Sequence, residues 1–215
     1  MRTLMVEVVP LFEGATGHKA EIEFVLTSAL VKKIEEGAPF DVALLPRPEL
    51  DDLVRDGKIA AGSTADVARS TVGLCVRTGA AKPDISTVEA FKHSLIAARS
   101  ISYSDGPSGA YIGVLLVRLG IADEMKPKTR LTSRPVAELV AAGEAEIGLQ
   151  QIVAILPVKG AELVGPLPSE LQNVIVYSVG LSVSAQESAA ARDLMRSLAA
   201  PEVADLIRAK GMEPG

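Results

Sequence analysis

Two turns in this sequence place hydroxyl groups and backbone N–H groups at the expected start of a helix. The first is Leu26-Thr27-Ser28, and the second is Ser104-Asp105-Gly106-Pro107-Ser108-Gly109. The first turn of a helix has unpaired N–H groups and the positive end of the helix dipole, so it favours an anion. Serine and threonine there are also common helix caps, worth about 1 kcal/mol each. Each turn is therefore either a ligand site or a plain cap.

Further polar groups lie in or directly after segments that are expected to be strands. Gln150 and Gln151 follow residues 146–149, and their amides can donate to an oxyanion or accept from a hydroxyl group. The alternative is that these amides bond to their own loop. Tyr177 is a phenol within the apolar stretch 174–178, where it either packs in the core with a hydroxyl partner or donates to a ligand.

The sequence contains no recognisable catalytic or metal-binding pattern. The motifs G-x-S-x-G, G-x-x-x-x-G-K-[ST] and G-x-G-x-x-G are absent. His18 and His93 are far apart, without a second Cys or His nearby to complete a zinc site. The single cysteine, Cys75, lies in the apolar run 72–76 and is expected to be a buried small hydrophobe. We therefore expect no enzyme activity, no metal and no cofactor.

Composition and charge narrow the choice of partners. The chain has 215 residues, with 22 Lys and Arg against 27 Asp and Glu, a net charge of −5, and 3% aromatic residues. Nucleic-acid binding needs clustered cations or stacking rings, so we expect no nucleic-acid partner. No apolar stretch reaches the length of about 18 residues that spans a membrane, so the protein is expected not to be membrane-embedded.

Helical and strand patterns alternate along the chain, which predicts an α/β fold. Helices are expected at 4–15, 29–36 (opened by Thr27-Ser28), 48–54, 110–119, 135–142, 187–198 and 201–210. Ser86 is expected to cap a further helix that runs through Ala98, with Glu89 closing a capping box. Strands are expected at Ala20–Leu26, 41–45, 72–76, 100–104, 145–150 and 174–183.

Three segments together resemble a known family. Residues 12–19 read FEGATGHK, residues 38–42 read APFDV, and the ending 200–214 contains APEVA and AKGMEP. These segments are similar to those of type II periplasmic solute-binding proteins, which serve transporters of the ATP-binding-cassette (ABC) class. The similarity is greatest to the molybdate-binding branch, and it extends over nearly the whole chain.

The resemblance implies two α/β lobes, each a mixed sheet flanked by helices, with the ligand in the cleft between them. Lobe one would comprise residues 1–76 plus 178–215 and lobe two residues 77–177, with crossovers near Arg77 and Tyr177. Met1 aligns inside the first helix of the family, so the family's opening strand is expected to be missing, which leaves sheet edges unpaired. By position, the resemblance implies ligand contacts from Thr27, Ser28, Ser108, Gly109, Ala110, Gln150, Gln151 and Tyr177.

The expected function is non-enzymatic binding of a small oxyanion, similar to molybdate or tungstate, or of another small anionic solute. Gln150-Gln151 stand where the molybdate branch has an apolar residue and a tyrosine, and Ser178 replaces a proline. A different oxyanion, a small carboxylate or no ligand therefore stays open. The expected partners are an ABC transporter permease and, through an unpaired sheet edge, a second copy. The resemblance implies a periplasmic location, but the first residues carry no export signal, which leaves a cytoplasmic ligand-sensing module as the alternative.

Overall fold

The computed structural model describes residues 1–105 and 107–215, together with their side chains except those of Pro107 and Ser108. The chain divides into two compact units. Unit 1 comprises Met1–Arg69 with Ile175–Gly215, and unit 2 comprises Ser70–Val174.

Helices and strands alternate along the chain, with two short 3-10 helices at Lys126–Lys128 and Ser169–Leu171. In chain order the elements are α1 (Arg2–Thr16), α2 (Thr27–Glu35), β1 (Val42–Pro46), α3 (Arg47–Arg55), β2 (Ala65–Ser70), β3 (Val72–Arg77), α4 (Val88–Ala97), β4 (Ile101–Ser104), α5 (Pro107–Arg118), α6 (Ala122–Met125), β5 (Thr129–Thr132), α7 (Val136–Ala142), β6 (Ile147–Gln151), α8 (Ile152–Ile155), β7 (Ala161–Pro166), β8 (Ile175–Leu181), α9 (Ser188–Leu198), α10 (Pro201–Ala209) and β9 (Glu213–Pro214).

The sheet of unit 1 has the strand order β1-β8-β2-β9. β1 runs antiparallel to β8, with Pro46 opposite Tyr177. Apolar side chains from α2, β1 and α3 pack into one core on this sheet, and its fully buried members include Leu45, Leu50 and Ile59. β1 is an edge strand among the strands that the structure describes.

The sheet of unit 2 has the order β5-β4-β6-β3-β7. β4 is parallel to both β5 and β6, whereas β3 is antiparallel to both β6 and β7. Its largest core brings together helices α4 and α5 and the inward faces of β3, β4 and β6, around Phe91, Leu95 and Ile112. Two sheets flanked by helices confirm the α/β class predicted from the alternating pattern.

Most expected elements form within a few residues of their predicted bounds, but two expectations are wrong. Residues 20–26 are not a strand, because none of the described strands pairs with this alternating segment. The cap of α4 is Thr87 rather than Ser86: Thr87 has an extended backbone, and its Oγ1 accepts a 3.1 Å hydrogen bond from the Ala90 N–H group. The lobe bounds near residues 77 and 177 remain a prediction. In the structure, β3 pairs with β6 and β7 and so belongs to unit 2.

Candidate anion-binding site

The start of α5 lies unusually close to the end of β4 in unit 2. Gly109 is buried at the third position of this helix, and a Cβ atom on it would lie 1.7 Å from the carbonyl oxygen of Ser104. No side chain fits at that distance, so the glycine is what allows the helix to begin against the strand end. The exposed Ala110 follows in the same turn. The backbone of this turn is therefore held at the carboxyl end of β4, where the helix presents its N–H groups.

Gln150 lies at the same edge of this sheet. Strands β4 and β6 are parallel, and Ser102 lies opposite Gly148. Two residues further along each strand, Ser104 and Gln150 therefore lie at the same height. The Gln150 side-chain oxygen accepts a 3.2 Å hydrogen bond from the N–H group of Ala137, in the first turn of α7. This bond turns the side-chain oxygen towards α7. The amide NH2 group is the only donor of this side chain, and it is the part that can bind an anion.

Gln151 has a different neighbour. Successive side chains of a strand point to opposite faces of the sheet, and the Gln151 oxygen accepts a 3.4 Å hydrogen bond from the buried Ser70 hydroxyl. The two adjacent amides that the sequence suggested as a pair are thus separated, one towards α7 and the other towards the start of unit 2.

In unit 1, Thr27 and Ser28 are the first two residues of α2. The N-cap of this helix is Leu26, and no side chain caps it. Thr27 lines a cavity of about 1360 Å³ within unit 1, and Tyr177 lines the same cavity. Ser28 is exposed at the next position. The structure therefore places Thr27 and Tyr177 on one cavity, and their contact with a ligand stays a prediction.

A hydrogen-bonded cluster beside Tyr177 was not predicted. The buried Ser178 hydroxyl donates to Asp66 Oδ1 at 2.6 Å, and the Arg47 guanidinium donates to the same oxygen at 2.9 Å. Arg47 also donates to Asp51 at 2.8 Å. The bond from Ser178 and the bond from Arg47 lower the pKa of Asp66, although partial burial opposes them. The available signal was Ser178 itself, a polar residue on the inward face of an apolar strand, which must find a partner.

Two positions of the predicted turn fall outside the described part of the chain: Gly106 as a whole, and Ser108 as to its side chain. The expected contact from the Ser108 hydroxyl therefore stays a prediction. Within the described residues, no group of three or more His, Cys, Asp or Glu side chains is arranged to hold a metal ion. No helix in that part of the chain has the length and apolar character needed to cross a membrane.

The predicted site residues that the structure describes offer neutral donors: backbone N–H groups, two hydroxyls, amides and a phenol. Neutral donors at helix starts can hold a small anion without a full opposing charge. The family model described as bacterial extracellular solute-binding protein matches residues 1–213. The chain belongs to this family.

Two relatives of the chain carry different names. The chain is 36% identical over 215 residues to a protein named aconitate isomerase from Pseudomonas sp., covering 97% of this chain and 82% of the relative. It is 28% identical over 218 residues to the molybdate-binding protein ModA of Azotobacter vinelandii, covering 96% of this chain and 84% of that protein.

A solved structure supports the fold of the family. The periplasmic molybdate-binding protein from Azotobacter vinelandii superimposes with a TM-score of 0.75 at 21% identity, covering 99% of this chain and 95% of that one. This confirms the expected fold, and the family model and the ModA relative confirm the resemblance to type II periplasmic solute-binding proteins. The isomerase name means that the expectation of a non-enzymatic protein is supported by only part of the family.

Proposed function

We propose that this protein binds a small anionic solute through the neutral donors of its strand-to-helix turns. The observation that carries the proposal is the contact of Gly109 with Ser104, which holds the first turn of α5 at the end of β4. An ordinary helix start does not require glycine, because most residues can begin a helix. A contact so close that only glycine fits therefore suggests another role for this turn. The contact does bring backbone N–H groups within reach of a ligand.

The eight positions named from the sequence stay the predicted ligand contacts. Gln150 presents its amide NH2 group at the sheet edge that carries Ser104, and Thr27 and Tyr177 line one cavity. The proposed role is that of the solute-binding component of an ABC transporter, located in the periplasm and delivering its ligand to a permease. Support for this role comes from the family and from the ModA relatives.

Calorimetric titration tests this proposal. The full chain is titrated with molybdate, tungstate, sulfate, phosphate, citrate and the two isomers of aconitate. A saturable heat with one binding site for one of these anions is expected. Gly109→Ala should remove that heat, whereas Gly113→Ala, on the same helix but with only the Tyr103 hydroxyl 3.8 Å from its added Cβ, should keep it.

A second candidate is binding and isomerisation of an unsaturated tricarboxylate. The observation in its favour is the 36% identity to aconitate isomerase over 97% of the chain. Incubation with cis-aconitate or trans-aconitate, followed by proton NMR, would show interconversion of the isomers if this candidate is correct. Binding of aconitate without interconversion would leave solute binding as the function, with a carboxylate as the ligand.

A further inference from the structure

Helix α5, whose first turn carries the proposed anion donors, is hydrogen-bonded to a segment far along the chain. The Tyr111 hydroxyl donates a 2.8 Å hydrogen bond to the carbonyl oxygen of Leu171. The Arg118 guanidinium donates a 2.9 Å bond to the carbonyl oxygen of Glu170. Both acceptors lie in residues 169–172, a segment that we call the brace and that begins with a short 3-10 helix.

The brace is itself fixed to the sheet of unit 2. The Gln172 side-chain oxygen accepts a 2.7 Å hydrogen bond from the Val72 N–H group, and its amide NH2 group donates a 3.0 Å bond to the Val72 carbonyl oxygen. Leu171 is 3% exposed and packs in the same core as Ile112 of α5. Val72 opens β3, and β3 pairs with β6, the strand that carries Gln150. The brace is therefore held by the same sheet that positions the Gln150 amide.

Gly109 and Tyr111 contact different neighbours from nearly opposite sides of α5. A helix turns by about 100° per residue, so two positions that are two residues apart point in directions about 200° apart. Gly109 faces the Ser104 carbonyl oxygen on β4, whereas Tyr111 reaches the brace. Together the two contacts fix the distance of the helix start from β4 and its rotation about the helix axis.

Arg118 makes the same kind of contact at the other end of the helix. It lies seven residues after Tyr111, which is nearly two full turns, so both side chains leave the same face of α5. At about 1.5 Å per residue, Arg118 is about 13 Å further along the axis than Gly109. The bond from Arg118 therefore stabilises the packing of α5 far from the first turn.

We infer that Tyr111 is a positioning residue for the anion site. Its bond to the brace holds the backbone N–H groups of the first turn of α5 where the ligand meets them. Donors that are ordered before the ligand arrives bind it more tightly, because less free energy is lost in ordering them. The effect on affinity rests on the proposed function, which takes this turn as the anion donor.

Tyr111→Phe removes one oxygen atom and keeps the ring, and Arg118→Met is the matched control that loses the other bond to the brace. The full chain and both variants are titrated calorimetrically with molybdate and with cis-aconitate, in about 0.15 M salt, which largely screens the charge lost at residue 118. Tyr111→Phe should weaken binding of the anion that the native chain takes by at least about fivefold. Arg118→Met should weaken it by less than about twofold. Urea midpoints compare what each bond contributes to overall stability.

Hydrogen exchange without any anion gives a readout that overall stability does not explain. The amides of residues 111–113 donate to carbonyl oxygens in the first turn of α5. They should exchange at least about fivefold faster in Tyr111→Phe than in the native chain, and at the native rate in Arg118→Met. If the native chain binds neither anion, the proposed function fails for these ligands, and exchange alone decides whether Tyr111 holds the turn. Equal loss of affinity in both variants, or unchanged exchange in Tyr111→Phe, would overturn the inference.

Discussion

Gly109 packs so closely against Ser104 that a Cβ atom on residue 109 would lie 1.7 Å from the Ser104 carbonyl oxygen. This contact sets the position of the α5 start relative to the end of β4. It couples a sequence feature, a glycine in the first turn of a helix, to a function, because the backbone N–H groups of that turn are the proposed anion donors.

Gly109→Ala should therefore destabilise the protein by about 1–3 kcal/mol, because backbone must move to admit the methyl group. Gly113→Ala is the matched control: its Cβ would meet only the Tyr103 hydroxyl at 3.8 Å, and alanine inside a helix is worth about 0.5–1 kcal/mol over glycine. Urea unfolding of both variants measures the difference. Equal stability of the two variants would show that the close contact with Ser104 does not restrict position 109 to glycine.

Gln150→Glu should weaken anion binding by at least about tenfold without unfolding the protein. A carboxylate at position 150 can still accept the bond from the Ala137 N–H group, and a negative charge is favourable at the start of α7. The same charge repels an anionic ligand and removes the amide donor. Titration with the anion that binds the native chain checks the affinity, and the melting temperature checks the fold. An unchanged affinity would remove Gln150 from the site.

The loss of folding stability at acidic pH should depend on Asp66. The pKa of Asp66 is lowered in the folded state, first by the hydrogen bond from Ser178 and then by Arg47. A carboxyl group with a lowered folded pKa stabilises the fold above its unfolded pKa, and this stabilisation is lost as the pH falls through the folded pKa. Asp66→Asn should therefore lower the free energy of unfolding at pH 7 more than at pH 2.

The matched control for this measurement is Asp123→Asn, at an exposed position in the first turn of α6. Denaturant midpoints at pH 7 and pH 2 are compared for the native chain and both variants. If Asp66→Asn costs the same stability at both values of pH, the hydrogen bonds from Ser178 and Arg47 do not act through the charge of Asp66.

Cys75 should be unreactive while the protein is folded. Cys75 belongs to β3, and its fully buried side chain packs in a core with Ala137 and Val140. Burial raises the pKa of the thiol to about 12. Thiolate is the reactive form, so little of it exists at pH 8. A disulfide reagent should label one thiol per chain in denaturant and almost none in buffer. Rapid labelling in buffer would show that β3 opens readily.

The sequence predicted best where a pattern depends only on neighbouring residues. The apolar spacing of residues 4–15 and the glycine after them predicted α1, and Gly17 does end it with a positive φ of 74°. The placement of Thr27 and Ser28 at the start of α2, and the burial of Cys75, followed from the same kind of local reasoning.

The prediction failed where a partner decides the outcome. Residues 20–26 alternate as a strand should, but a strand forms only by pairing with another strand, and no described strand pairs with them. Strands β2, β5 and β7 were missed for the opposite reason, because they form by pairing although their own patterns are weak. The bond between Ser178 and Asp66 joins residues 112 positions apart, a distance that no local pattern encodes.

Calorimetric titration of the native chain and the two glycine variants is the sharpest test of anion binding by the turn that Gly109 holds. Saturable binding of one anion of the panel is expected for the native chain and for Gly113→Ala, with none for Gly109→Ala. Absence of heat with every anion for the native chain, or equal binding by both variants, would contradict it.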